Sequence, residues 1–144
     1  MLIAYAQVGP PGAVQVWVGI FGTANPQQPT IDAGGQGQLK VLSPLRPIRD
    51  SMTDAAGRPL NHRAILQLTG LQPGTSYRVE VRAGAETRSI TTSTLPDALP
   101  QKLDGAFNIL LCSCYSQPED ASGLMGSVVS QIMVRPHMTM MLGD

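Results

Sequence analysis

The chain has 144 residues, with ten Lys and Arg balanced by ten Asp and Glu, and 42% of it is hydrophobic. That supports one full core, or a small domain plus a piece of another, and the sparse, neutral charge leaves no basic patch to signal nucleic-acid binding. No apolar run reaches the roughly 18 residues of a transmembrane segment, and Cys112 and Cys114, one residue apart, do not make a secreted disulfide framework.

The opening "MLIAYAQVGPPG" lacks the basic and long apolar regions of a signal peptide, which favours a cytoplasmic location. "AVQVWVGIF" (Ala13 to Phe21) predicts a strand, with Val14, Val16, Val18 and Ile20 on one face. Two stretches rich in Gly, Pro and Gln follow, "GTANPQQPTIDAGGQGQ" and "SPLRPIRDSMTDAAGRP". They read as loops with one or two short strands near Leu39–Leu42. His62 falls in the loop "RPLNHRA" and reads as solvated. "RAILQLTG" predicts a strand with Leu66 and Leu68 inward. "SYRVEVRAG" alternates Tyr77, Val79 and Val81 against Arg78, Glu80 and Arg82, the pattern of a half-buried antiparallel strand. "GAETRSITTST" returns as its hairpin partner, with Gly84 near the turn. Several short strands separated by Gly and Pro suggest a sandwich.

"STLPDALPQKLDGA" reads as a linker, and the pattern changes after it. "FNILLCSC" is a near-continuous apolar run, as expected of a strand buried on both faces. "ASGLMGSVVSQIMV" places Leu124, Val128 and Ile132 at helical spacing, with Asp120 or Ser122 as cap and Pro136 as stop. "HMTMMLGD" predicts a second buried strand. The order is β–α–β, which makes the two strands parallel.

Two resemblances follow from these residues. "LTGLQPGTSYRVEV", with Leu71, Pro73, Gly74 and Tyr77, resembles the later strands of a fibronectin type III module, and Trp17 fits the early-strand tryptophan of such modules. A sandwich, a Pro-containing linker, "FNILLCSC", a helix and "MTMMLGD" together resemble the start of the alkaline phosphatase D-like (PhoD-like) metallophosphoesterases. In that family one strand ends in Ser-Cys and the next in Gly-Asp, here Ser113-Cys114 and Gly143-Asp144. The resemblance implies that Cys114 and Asp144 ligate a catalytic metal, iron partnered by a second divalent ion such as Ca, Mn or Zn. It implies hydrolysis of phosphate mono- or diesters by a metal-bound hydroxide, so the partner is a phosphate-ester substrate. Ser113, Tyr115 and Gly143 would border that site. The family's further site motifs have no counterpart up to Asp144.

Strand geometry agrees with this placement. Parallel strands end on one edge of a sheet, and ligands of α/β sheets bind outside those carboxyl ends. A thiolate with a carboxylate suits a transition metal better than Mg or Ca alone. Cys114 by itself would read as a packing cysteine; its place at a strand end, alongside Gly143-Asp144, favours a ligand. Cys112 reads as a core thiol one pleat back. His137 opens the strand that Asp144 closes, so about seven residues of strand, roughly 20 Å, hold it at the opposite edge. The five methionines from Met125 to Met141 read as core filling.

The expected fold is mainly β. An immunoglobulin- or fibronectin III-like β-sandwich spans residues 1–94 and a linker spans 95–106. The first β–α–β unit of an α/β metallophosphatase domain spans 107–144. The two final strands call for burial on both faces, which implies that the chain is the N-terminal fragment of a longer enzyme, cut at Asp144 and inactive alone. The alternative is a non-catalytic fibronectin-like binding module with a short α/β extension. Its contact surface would be the loops Asn25–Gln38 and Pro44–His62.

Overall fold

The computed structural model describes residues 1–49, 51–98, 108–113, 127, 128, 131, 136 and 138–142. These residues are mainly β, and the chain divides into two compact units, Met1–Asp97 and Ala98–Asp144.

The first unit holds seven strands: β1 (Leu2–Gln7), β2 (Val14–Ile20), β3 (Thr30–Asp32), β4 (Gln38–Pro47), β5 (His62–Thr69), β6 (Ser76–Ala83) and β7 (Glu86–Ser93). They form a four-stranded sheet in the order β1-β2-β5-β4 and a three-stranded sheet in the order β3-β6-β7. Every pairing in both sheets is antiparallel.

The two-residue period of a strand decides which side chains meet. Val14, Val16, Val18 and Ile20 of β2 lie on one face with Leu66 and Leu68 of β5. Tyr77, Val79 and Val81 of β6 join them, with Leu2, Ile31 and Leu71, in one buried cluster drawn from both sheets. Each fully buried aliphatic side chain here contributes about 1.5–3 kcal/mol. The strands expected at Val14–Ile20, Arg63–Thr69 and Ser76–Ala83 are present, with the expected residues inward. The β6–β7 hairpin closes from Ala83 to Glu86, and Gly84 takes a positive φ of 58°, as a two-residue turn requires.

Charged side chains tie the edge strands of the two sheets together. The backbone N–H of Leu2 in β1 donates to Oε2 of Glu86 in β7 at 2.8 Å. The carbonyl of Leu2 accepts from Nε of Arg88 at 3.2 Å. Both groups of one edge residue are thereby satisfied without a further strand.

Three expectations need correction. Thr30–Asp32 and Ser43–Pro47 were expected in loops and are strand. Pro44 and Pro47 sit in β4, which pairs only with β5, and an edge strand tolerates proline because its outer N–H groups need no ladder partner. β4 also shifts register between Val41 and Ser43 and between Ser43 and Arg46, where bulges interrupt the ladder. His62 is not solvated: it opens β5, opposite Ile20 and Pro47, and is only 7% exposed. Trp17 lies in the early strand β2 but outside the buried cluster, unlike the core tryptophan of an immunoglobulin-like sandwich. It is half-buried on the opposite face of β2 and stacks on Tyr5, ring centroids 5.0 Å apart and 16° from parallel. The Leu2–Gln7 strand was not anticipated at all.

In the second unit, β8 (Ile109–Ser113) pairs with β9 (Met138–Leu142) in parallel. Ser127 and Val128 carry helical backbone inside the expected helix, and Val128, expected on its apolar face, is exposed. The rest of that helix lies outside the described residues.

Candidate metal centre

The site expected from the sequence depends on where β8 and β9 end. Their register runs from Ile109↔Met138 to Ser113↔Leu142 without a shift. The strands are parallel and in step, so their carboxyl ends share one edge. Ser113 is the last residue of β8, and Leu142 is the last of β9. In sequence, Cys114 and Tyr115 follow directly on Ser113, and Gly143 and Asp144 follow on Leu142. Those four, and His137, lie outside the described residues. Cys112 pairs with Met141 within the ladder.

The described part of this pair is not covered on both faces. Ile109 and Leu111 are 48% and 61% exposed, and Met140, opposite Leu111, is 39% exposed. Apolar side chains at alternate positions of this pair are therefore open to water.

Among the described residues no group of three or more His, Cys, Asp and Glu could hold a metal ion. Four acids of the first unit have structural work instead. Asp54 organises the loop before β5: its Oδ1 accepts the backbone N–H groups of Ala56 and Arg58, each at 2.9 Å. Its Oδ2 accepts from Nε of Arg58 at 2.7 Å. The backbone bond from Arg58, reinforced by its guanidinium, holds the Asp54 carboxyl below the ordinary aspartate range. Glu86 is held low in the same way, first by the N-terminal amine of Met1 at 3.0 Å and then by the N–H of Leu2. Asp32 closes its own turn, accepting from the N–H groups of Gly34 and Gly35. Glu80 pairs with Arg82 at 2.6 Å.

His62 has chemistry to spare. Its Nδ1 is buried and has no hydrogen-bond partner among the described residues. A buried orphan nitrogen costs stability unless a water reaches it. Among the described residues it belongs to no group of three or more such donors that could hold a metal ion.

The residue types that matter most for the candidate centre, one thiolate and one carboxylate, were legible only at the ends of the two apolar runs. The parity of β5 could have found His62, which shares the inward register of Ala64, Leu66 and Leu68. No protein-family model matches this chain, and no curated protein or solved structure matches it either.

Proposed function

We propose that this chain is the N-terminal part of a PhoD-like, metal-dependent phosphoesterase. In that reading a fibronectin III-like β-sandwich precedes the first β–α–β unit of the catalytic domain. The observation that carries it is the parallel, unshifted pairing of β8 with β9. Parallel strands need a crossover of a dozen or more residues, and residues 114–137 supply one. Ligands of such sheets gather at the strands' carboxyl ends, next to which the sequence carries Cys114 and Asp144.

The donor set fits the group it would hold. A soft thiolate together with a hard carboxylate favours a transition metal such as iron, which would be partnered by a second divalent ion such as Ca, Mn or Zn. When bound, the metals supply Lewis-acid polarisation of a phosphate ester and an activated water. Cys114 and Asp144 hold them, while Ser113, Tyr115 and Gly143 border the site. The sandwich reading is supported by the single core cluster drawn from both sheets and by the hydrogen bond between Tyr77 and Gln72.

The test is phosphate release by the natural full-length protein from aryl phosphate mono- and diesters, alone and as Asp144→Asn. The expected result is turnover that falls at least a hundredfold in the variant, with the thermal melt unchanged. Equal turnover in both proteins removes Asp144 from the site and sinks the reading. A non-catalytic binding module is the second reading, and the composition of one sheet face favours it independently.

A further inference from the structure

The face of the four-stranded sheet turned away from the core is not an ordinary wet face. Register and parity assign its side chains. Ile3 and Tyr5 come from β1, Trp17 from β2, Arg63 from β5, and Lys40 and Arg46 from β4. Ile3 and Tyr5 are 41% and 48% exposed. The four strands contain no Asp or Glu at all. The corresponding face of the three-stranded sheet is the opposite in character. It carries Arg78 bonded to Ser89 and Arg82 paired with Glu80, among serines and threonines.

Arg46 lies directly opposite Arg63 across the β4–β5 ladder. Like charges in a cross-strand pair are destabilising unless something anionic lies near them. Neither arginine, nor Lys40, makes an ion pair or a side-chain hydrogen bond with a described residue. Three uncompensated cations therefore share one sheet face with an exposed aromatic and aliphatic row.

We propose that this face docks onto an anionic phospholipid surface. Charge complementarity selects an anionic partner, and the apolar row selects among anions. Tyr and Trp side chains beside Lys and Arg are the composition of a membrane–water interface, where rings sit at headgroup level and cations meet the negative leaflet. A single-stranded nucleic acid would need open ring faces for its bases. Here Tyr5 and Trp17 turn ring faces to each other. The benzo edge of Trp17 lies down on Gly19, where a Cβ would come within 2.5 Å of it. The inference does not depend on the phosphoesterase reading.

Co-sedimentation of the full chain with phosphatidylserine-containing vesicles, and with pure phosphatidylcholine vesicles, at low salt tests it. The chain is expected to bind the first and not the second. Each cation near a charged leaflet is worth roughly fivefold in partitioning, so the double substitution R46Q/R63Q lowers binding about thirtyfold. Removing the same charge from the other sheet, R78Q/R82Q, leaves binding unchanged. Ile3→Ser weakens binding to the anionic vesicles while R78Q/R82Q does not, which separates a surface contact from net charge. Circular dichroism melts show that each variant is folded. The proposal is overturned by failure to bind anionic vesicles, by equal losses in the two double variants, or by an oligonucleotide that binds in an Arg46- and Arg63-dependent way while vesicles do not.

Discussion

The hydroxyl of Tyr77 accepts the backbone N–H of Gln72 at 2.9 Å, across the corner that leads into β6. The ring itself is buried in the core cluster. One side chain thus fixes both the packing of β6 and the path of the turn before it. A tyrosine near the start of a strand, bonded back to the preceding corner, is a hallmark of immunoglobulin-like sandwiches. Tyr77→Phe keeps the ring and removes the acceptor. It is expected to cost about 1–2 kcal/mol, read as a lower denaturant midpoint with an unchanged m-value.

Leu66 is the centre of β5 and has no exposed surface. Its truncation leaves a cavity beneath β2 and β6 residues that cannot fully collapse. Leu66→Ala is expected to cost about 2–5 kcal/mol, which for a domain of this size approaches its whole stability. Urea unfolding followed by circular dichroism measures it, and a loss below about 1 kcal/mol would mean that the cluster is looser than its burial indicates.

Gly19 is the floor beneath two aromatic side chains. A Cβ there would lie 2.5 Å from the Trp17 ring and 2.6 Å from the Phe21 ring. Both rings must move to admit a methyl group. Gly19→Ala is expected to destabilise by about 1–3 kcal/mol and to separate Trp17 from Tyr5. Tryptophan emission reports the second effect: Trp17 is the chain's one tryptophan, so a spectral shift is assignable without ambiguity.

Glu86 makes the stability of the first unit depend on pH. Its carboxyl is held below its ordinary value by the Met1 amine and by the N–H of Leu2. It therefore ionises at lower pH in the folded chain than in the unfolded one. The stabilisation is fully present above the ordinary glutamate range and is lost as pH falls through the lower, folded-state value. Melting curves of the natural chain and Glu86→Gln are expected to differ at neutral pH and to converge in acid. A difference that persists unchanged at the lowest pH contradicts this assignment.

The pair β8–β9 is expected to protect its amides weakly in the 144-residue chain. The open apolar positions Ile109, Leu111 and Met140 describe a ladder lacking cover on one face. Hydrogen exchange should be fast across Ile109–Cys112 and Met138–Leu142 relative to Val14–Ile20 and Ala64–Leu68. Strong protection of the C-terminal pair would contradict it.

Alternation made β2, β5 and β6 legible, because each carries an inward row of valine, leucine or tyrosine; β7, which has no such row, was legible only as the hairpin return of β6. The first half of β4 was legible as a short strand near Leu39–Leu42, and its continuation was hidden by Pro44 and Pro47, which signal a loop unless the strand is known to lie at an edge. β3, with three residues, is too short for any period to register. Trp17 was legible as lying on the face of β2 opposite Val16 and Val18, because it is out of step with both. Cross-strand neighbours such as Arg46 and Arg63 cannot be read from a sequence at all: a bulge intervenes, and register decides who faces whom. The candidate metal centre was legible as two strand ends and no further.

The metal content of the natural full-length protein tests the central claim most directly. Elemental analysis of the purified protein, and of Cys114→Ala, is the measurement, with circular dichroism to show that both are folded. The account predicts bound transition metal in the natural protein and its loss, with phosphate release, in the variant. Hydrolysis of phosphate esters by a metal-free protein, or metal retained in full by Cys114→Ala, would contradict it.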